Sequence, residues 1–145
     1  MTVTTAVESG IATVTLDHPP LNILTRAVLG ELREAMKQLA AEPGLRVVRL
    51  IAKGKNFSAG ADVGEHLPPQ YAEMIPEFAE TITAVASFPL PVIAGARGRC
   101  LGGGFELAQA ADVIVAGEAS SFGQPEILLG LAVPGATRQQ HAGRG

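Results

Sequence analysis

Two glutamates stand where a charge is unusual. Glu106 directly follows Gly102-Gly103-Gly104-Phe105 and heads the otherwise apolar stretch FELAQAADVIVA. Glu126 sits in FGQPEILLG, again among apolar neighbours. Burying an unpaired carboxylate is costly. Two carboxyls with raised pKa values can divide the work of acid and base near neutral pH. Taken singly, Glu106 reads equally well as a helix N-terminal charge, and Glu126 as a cap or turn charge.

Two small-residue segments point to anion binding. Phe57-Ser58-Ala59-Gly60-Ala61-Asp62 follows an apolar run, and its small side chains let backbone N–H groups approach a ligand. An ordinary strand-to-helix loop has the same composition. The run Gly102-Gly103-Gly104 places unpaired N–H groups at the positive end of a helix, where an oxyanion or phosphate can sit. A glycine turn that lets a helix pack closely on a strand accounts for it too. It is no phosphate loop, since no Gly-Lys-Ser/Thr follows. It is no dinucleotide fingerprint, since Leu107 stands where the third glycine belongs.

These segments need a scaffold, and the hydrophobic pattern supplies one. Residues 3–7 and 11–16 alternate branched and polar side chains around Glu8-Ser9-Gly10, the pattern of a β-hairpin. Leu24, Val28, Leu32, Met36 and Leu39 fall at helical spacing over 25–41, with Thr25 as N-cap and Pro43-Gly44 as stop. Residues 47–52 and 91–94 read as buried strands, and 113–116 as another. A helix over 70–87 contains Pro76, which predicts a break or kink. A short helix over 105–111 follows the glycines, and 121–130 reads as a strand or loop end carrying Glu126. Helices alternate with apolar strands, so the chain is α/β with much parallel sheet. The last ten residues, 136–145, are polar and aperiodic and are expected to be mobile.

Composition narrows the function. The 145 residues suit one domain, and 47% hydrophobic against 17% charged residues excludes a disordered chain. A net charge of -3 argues against a general nucleic-acid binder. One cysteine excludes a disulfide framework and a multi-Cys zinc site, and the three histidines are too scattered in sequence to form a metal motif. No apolar run approaches the roughly 20 residues of a membrane span. The start, MTVTTAVESG, has no basic n-region or apolar h-region, so a cytoplasmic protein is expected.

Taken together, PLNILT, GKNFSAGAD, PVIAGARGRCLGGGFELAQAADVIVA and SSFGQPEILLG, in this order over about residues 5 to 134, resemble the enoyl-CoA hydratase/isomerase (crotonase) superfamily. Within it, FSAGADVGEH is most similar to hydratases of the cyclohexa-1,5-diene-1-carbonyl-CoA type, which brings aromatic degradation into view. The resemblance implies a ClpP/crotonase-like spiral of ββα units over 1–135, incomplete because the family's C-terminal helical part is missing. It also implies homotrimers or hexamers, which the shortened chain puts in question.

The implied chemistry is stabilisation of a thioester enolate. By motif position the amides of Ala59 and Gly103 form the oxyanion hole, Glu106 activates water, and Glu126 protonates carbon. Phe57, Ser58, Gly60, Ala61, Asp62, Gly102 and Gly104 are expected around the substrate and its coenzyme A. Lys53 and Lys55 are candidate phosphate partners, with a solvated loop as the other reading. Arg97 and Arg99 depart from the family pattern; they face either the acyl-CoA or a neighbouring subunit. Cys100 is expected to be a buried inert thiol, and His66 to reach the acyl pocket or lie on a surface loop. No cofactor is implied, since coenzyme A arrives as part of the substrate. The expected activity is hydration of an enoyl- or dienoyl-CoA. The alternatives are isomerisation on the same fold and a non-catalytic acyl-CoA-binding or interaction module.

Overall fold

The computed structural model describes residues 1–61 and 71–123. Strand β1 (Val3–Glu8) turns back into β2 (Ile11–Leu16), and α1 (Arg26–Ala40) leads into β3 (Val47–Ala52). Helix α2 (Tyr71–Ala86) is followed by β4 (Val92–Ala96), β5 (Arg99–Leu101) and α3 (Gly103–Ala110), then β6 (Val113–Ala116) and β7 (Ser121–Gly123). The main sheet runs β1-β2-β3-β4-β6, antiparallel at β1–β2 and parallel from β2 onward. A small second sheet pairs β5 with β7 in parallel.

The hairpin turn is tight because Ser9 and Gly10 both adopt positive φ, 52° and 79°. That is the backbone a two-residue turn needs to match strand twist. Alternate residues of the sheet are buried: Ala12, Val14 and Leu16 on β2, Val48 and Leu50 on β3, Val92 and Ala94 on β4. Helices α1, α2 and α3 complete the core with Val28, Leu29, Leu32 and Met36 from α1, Met74, Phe78 and Val85 from α2, and Leu107 and Ala108 from α3. At the predicted cap, Thr25 Oγ1 accepts from the Val28 N–H at 3.2 Å.

Two features differ from expectation. Helix α2 runs unbroken through Pro76. Proline removes only one N–H there, early in the helix, and the downstream turns are held by burial of Phe78, Thr81 and Val85. The helix is also tied laterally to α1. Arg26 forms ion pairs with Glu73 at 2.7 Å and Glu77 at 2.8 Å, and Arg33 Nη1 donates to the Glu77 carbonyl and Thr81 Oγ1, both at 3.0 Å. Strand β5 was not legible as a strand, and α3 begins at Gly103, two residues before the predicted start.

Parallel strands leave their carboxyl ends on one edge, where ligand sites form in α/β sheets. Here that edge carries residues 53–61 after β3 and residues 97–102 after β4. Residues 62–70 and 124–145 lie outside the described residues. So, therefore, do Asp62, His66, Glu126 and the tail 136–145.

Candidate active site

Most backbone N–H groups of the loop after β3 have partners within the protein. Phe57 N donates to the carbonyls of Arg97 and Arg99 at 2.8 and 3.1 Å, and Ser58 N to that of Arg99 at 3.1 Å. Leu101 N returns a bond to the Ser58 carbonyl at 2.9 Å, so this stretch lies along β5 like an added strand. Ala59 N donates to the Leu21 carbonyl at 2.9 Å. Gly60 N donates to Ser58 Oγ at 3.1 Å, and the Gly60 carbonyl accepts from Leu24 N at 2.9 Å. Ala61 N is the first amide in this series without such a bond among the described residues.

The second segment meets the first at this point. Gly102 caps α3 with φ of 53°, where a side chain would be strained, and its N–H donates to the Gly123 carbonyl at 2.7 Å. Gly103 opens the helix. A Cβ placed on it would stand 3.4 Å from Ala61 N and 3.1 Å from the Phe78 ring. Gly104 packs against Ser58. Glu106 is 2% exposed and lies one turn along the same face as Gly103. The Cα–Cβ bond of a helical residue leans toward the helix N-terminus, here the Gly102–Gly103 end.

The expectation for the oxyanion pair is corrected in one member. Ala59 cannot offer its N–H outward because the Leu21 carbonyl holds it; the loop amide beside Gly103 is that of Ala61. Phe57 and Ser58, expected near the coenzyme, turn their side chains inward. Both are fully buried, Phe57 in the core and Ser58 as the acceptor for Gly60. Gly60 and Gly104 shape the loop and its contact with α3. Lys53 and Lys55 are exposed, and Lys53 Nζ lies 3.8 Å from Asp17. Arg97 and Arg99 are exposed as well, and Gly98 between them lies against the Lys55 carbonyl. Arg97 also donates to the Ala52 carbonyl at 3.0 Å. Cys100 is the inert thiol expected: fully buried, with burial pushing its pKa up to about 12.

Sequence reasoning missed two residues that build the site. Phe78 of α2 backs Gly103, and Asn22 holds the loop from behind. Asn22 lies inside PLNILT, so the motif was visible; the contact partners were not.

At the strand ends of this mixed sheet, Ala61 N, Gly103 and buried Glu106 thus lie close together. Residues 6–144 match the enoyl-CoA hydratase/isomerase family, and the chain belongs to it. Cyclohexa-1,5-dienecarbonyl-CoA hydratase of Thauera aromatica is 39% identical over 84% of this chain and 47% of its own length. A probable enoyl-CoA hydratase of Bacillus subtilis is 37% identical over 90% of this chain and 52% of its own. Among solved structures, Pseudomonas aeruginosa DspI superposes with a TM-score of 0.88 at 29% identity, covering 92% of this chain and 57% of that one. Enoyl-CoA hydratase from Bacillus anthracis gives 0.87 at 30% identity, with 93% and 55% covered. The fold is therefore the crotonase fold. The chain spans about half the length of the curated relatives it matches.

Proposed function

We propose that this chain carries the catalytic half of an acyl-CoA hydratase that adds water to an enoyl- or dienoyl-CoA thioester. The observation that carries the reading is the meeting of Ala61 N and Gly103 next to buried Glu106. In this reading the two amides donate to the thioester oxygen. Glu106 takes a proton from water, the water oxygen bonds to the electron-poor carbon, and the displaced electron pair moves to the thioester oxygen as an enolate. A proton then returns to carbon from Glu126. One misplaced oxyanion donor commonly costs about 3–4 kcal/mol of transition-state stabilisation.

The likeness to the Thauera hydratase favours a cyclic dienoyl thioester, with charge spread over the extended dienolate. The exposed Lys53, Lys55, Arg97 and Arg99 supply positive charge for the phosphates of coenzyme A. Assembly into homotrimers or hexamers, and a cytoplasmic location, belong to the same proposal. Incubating the chain with crotonyl-CoA and cyclohexa-1,5-diene-1-carbonyl-CoA in oxygen-18 water tests it. Label in the product, and its loss by orders of magnitude in Glu106→Gln, are expected. An unlabelled, rearranged product would mean isomerisation. Tight binding without turnover would mean a binding module.

A further inference from the structure

We propose that Asn22 is a positioning residue for the oxyanion pocket: it fixes the path of residues 53–61 so that the Ala61 amide meets Gly103. This rests on the reading that those two backbone groups receive the thioester oxygen.

Asn22 is 1% exposed and adopts φ of 49°, a left-handed conformation that few non-glycine residues accept and asparagine accepts best. Every polar atom of its side chain is used. Nδ2 donates to the Lys53 carbonyl at 3.0 Å and to the Asn56 carbonyl at 2.8 Å, and Oδ1 accepts from His18 N at 2.8 Å. The two carbonyls bracket the turn by which the chain leaves β3. Its neighbours hold the far end of the same loop, Leu21 through Ala59 N and Leu24 through the Gly60 carbonyl. One short segment thus grips both ends of the stretch that delivers Ala61.

The grip extends toward α3. Asn56 Nδ2 donates to the Pro20 carbonyl at 3.1 Å, and its Oδ1 accepts from Arg99 N at 2.9 Å. Arg99 opens β5, which feeds Gly102 and Gly103. Freed from Asn22, the 53–56 turn would lose its anchor, and the spacing between the two donors would no longer be set. Glycine at position 22 keeps the left-handed backbone but removes the clamp, so Asn22→Gly isolates the side chain's part. Asn22→Asp replaces both donated protons with an acceptor facing two carbonyl oxygens.

The test uses the full chain and a conjugated 2,4-dienoyl-CoA. Hydrogen bonds to its carbonyl polarise the conjugated system and shift its absorption to longer wavelength. In the Glu106→Gln background the bound probe is expected to show this shift, and Gly103→Val to abolish it. Asn22→Gly and Asn22→Asp are expected to remove most of the shift. With Glu106 intact, they should lower kcat at least tenfold while KM changes less than threefold. A full shift and unchanged kcat in Asn22→Gly, where Gly103→Val loses both, would overturn the positioning role and leave the site reading standing. A shift that survives Gly103→Val, or never appears, would overturn the oxyanion reading. Amide exchange then judges Asn22 alone. Asn22→Gly should speed exchange at Ala59 at least tenfold with Glu106 N protection unchanged; unaltered Ala59 exchange would refute the clamp.

Discussion

A Cβ placed on Gly104 would stand 2.5 Å from the carbonyl oxygen of Ser58 and 2.7 Å from its Cβ. Helix α3 and the loop after β3 therefore touch backbone to backbone, and the Ser58 carbonyl is already fixed by Leu101 N. Gly104→Ala should destabilise the fold by about 2–3 kcal/mol, the range of overpacking in a site that cannot relax. Urea unfolding checks this. Gly103→Ala, whose Cβ meets a Phe78 ring edge, should cost less stability while still harming the site.

The opposite sign is expected at Gly30. It lies inside α1, and a Cβ there would meet nothing closer than an Arg33 nitrogen at 3.8 Å. Alanine removes the excess backbone entropy of a helical glycine, so Gly30→Ala should stabilise by roughly 0.5–1 kcal/mol. The midpoint of thermal or urea unfolding would rise.

Acid should loosen two tethers together. Burial acts to raise the Glu31 pKa, but hydrogen bonds from Thr2 N, Val3 N and the Thr2 hydroxyl outweigh it and hold the value below the ordinary 4.5. Glu77 is lowered chiefly by its hydrogen bonds from Arg26. A depressed folded pKa gives stability that is present above the unfolded value near 4.5 and lost as pH falls through the folded one. Stability should therefore drop below about pH 4.5 from these groups and stay level above it. Denaturant titrations at several pH values should show a shallower acid loss in Glu77→Gln.

Cys100 should resist thiol reagents while the protein is folded. Its pKa, raised to about 12 by burial, leaves little thiolate at pH 8, and its Sγ lies 3.7 Å from the Gly104 carbonyl inside the core. Labelling is expected to follow unfolding, with the full rate recovered in denaturant.

Where one element's own pattern decided the structure, the sequence was readable. The β1–β2 hairpin, the Thr25 cap of α1 and strand β3 at residues 47–52 all follow from local periodicity and turn chemistry. Strand β5 does not. Three residues, Arg-Cys-Leu, carry no alternation worth reading, and they are extended because Phe57, Ser58 and β7 pair with them from distant parts of the chain. The site divides in the same way. Gly103 and Glu106 follow from a glycine run before a helix. The choice between Ala59 and Ala61 turns on which N–H the Leu21 carbonyl takes, a long-range contact with no local signature.

In the proposed site the donors at Ala61 and Gly103 are peptide groups, and every amino acid except proline retains that N–H. An alanine scan would thus pass over the pair: position 61 is alanine already, and Gly103→Ala would register as crowding against Phe78. On that reading, side chains around the pocket could be exchanged to admit new acyl groups while the polarising element stays as it is. Only proline or an ester linkage at position 61, which deletes the proton itself, addresses that element directly.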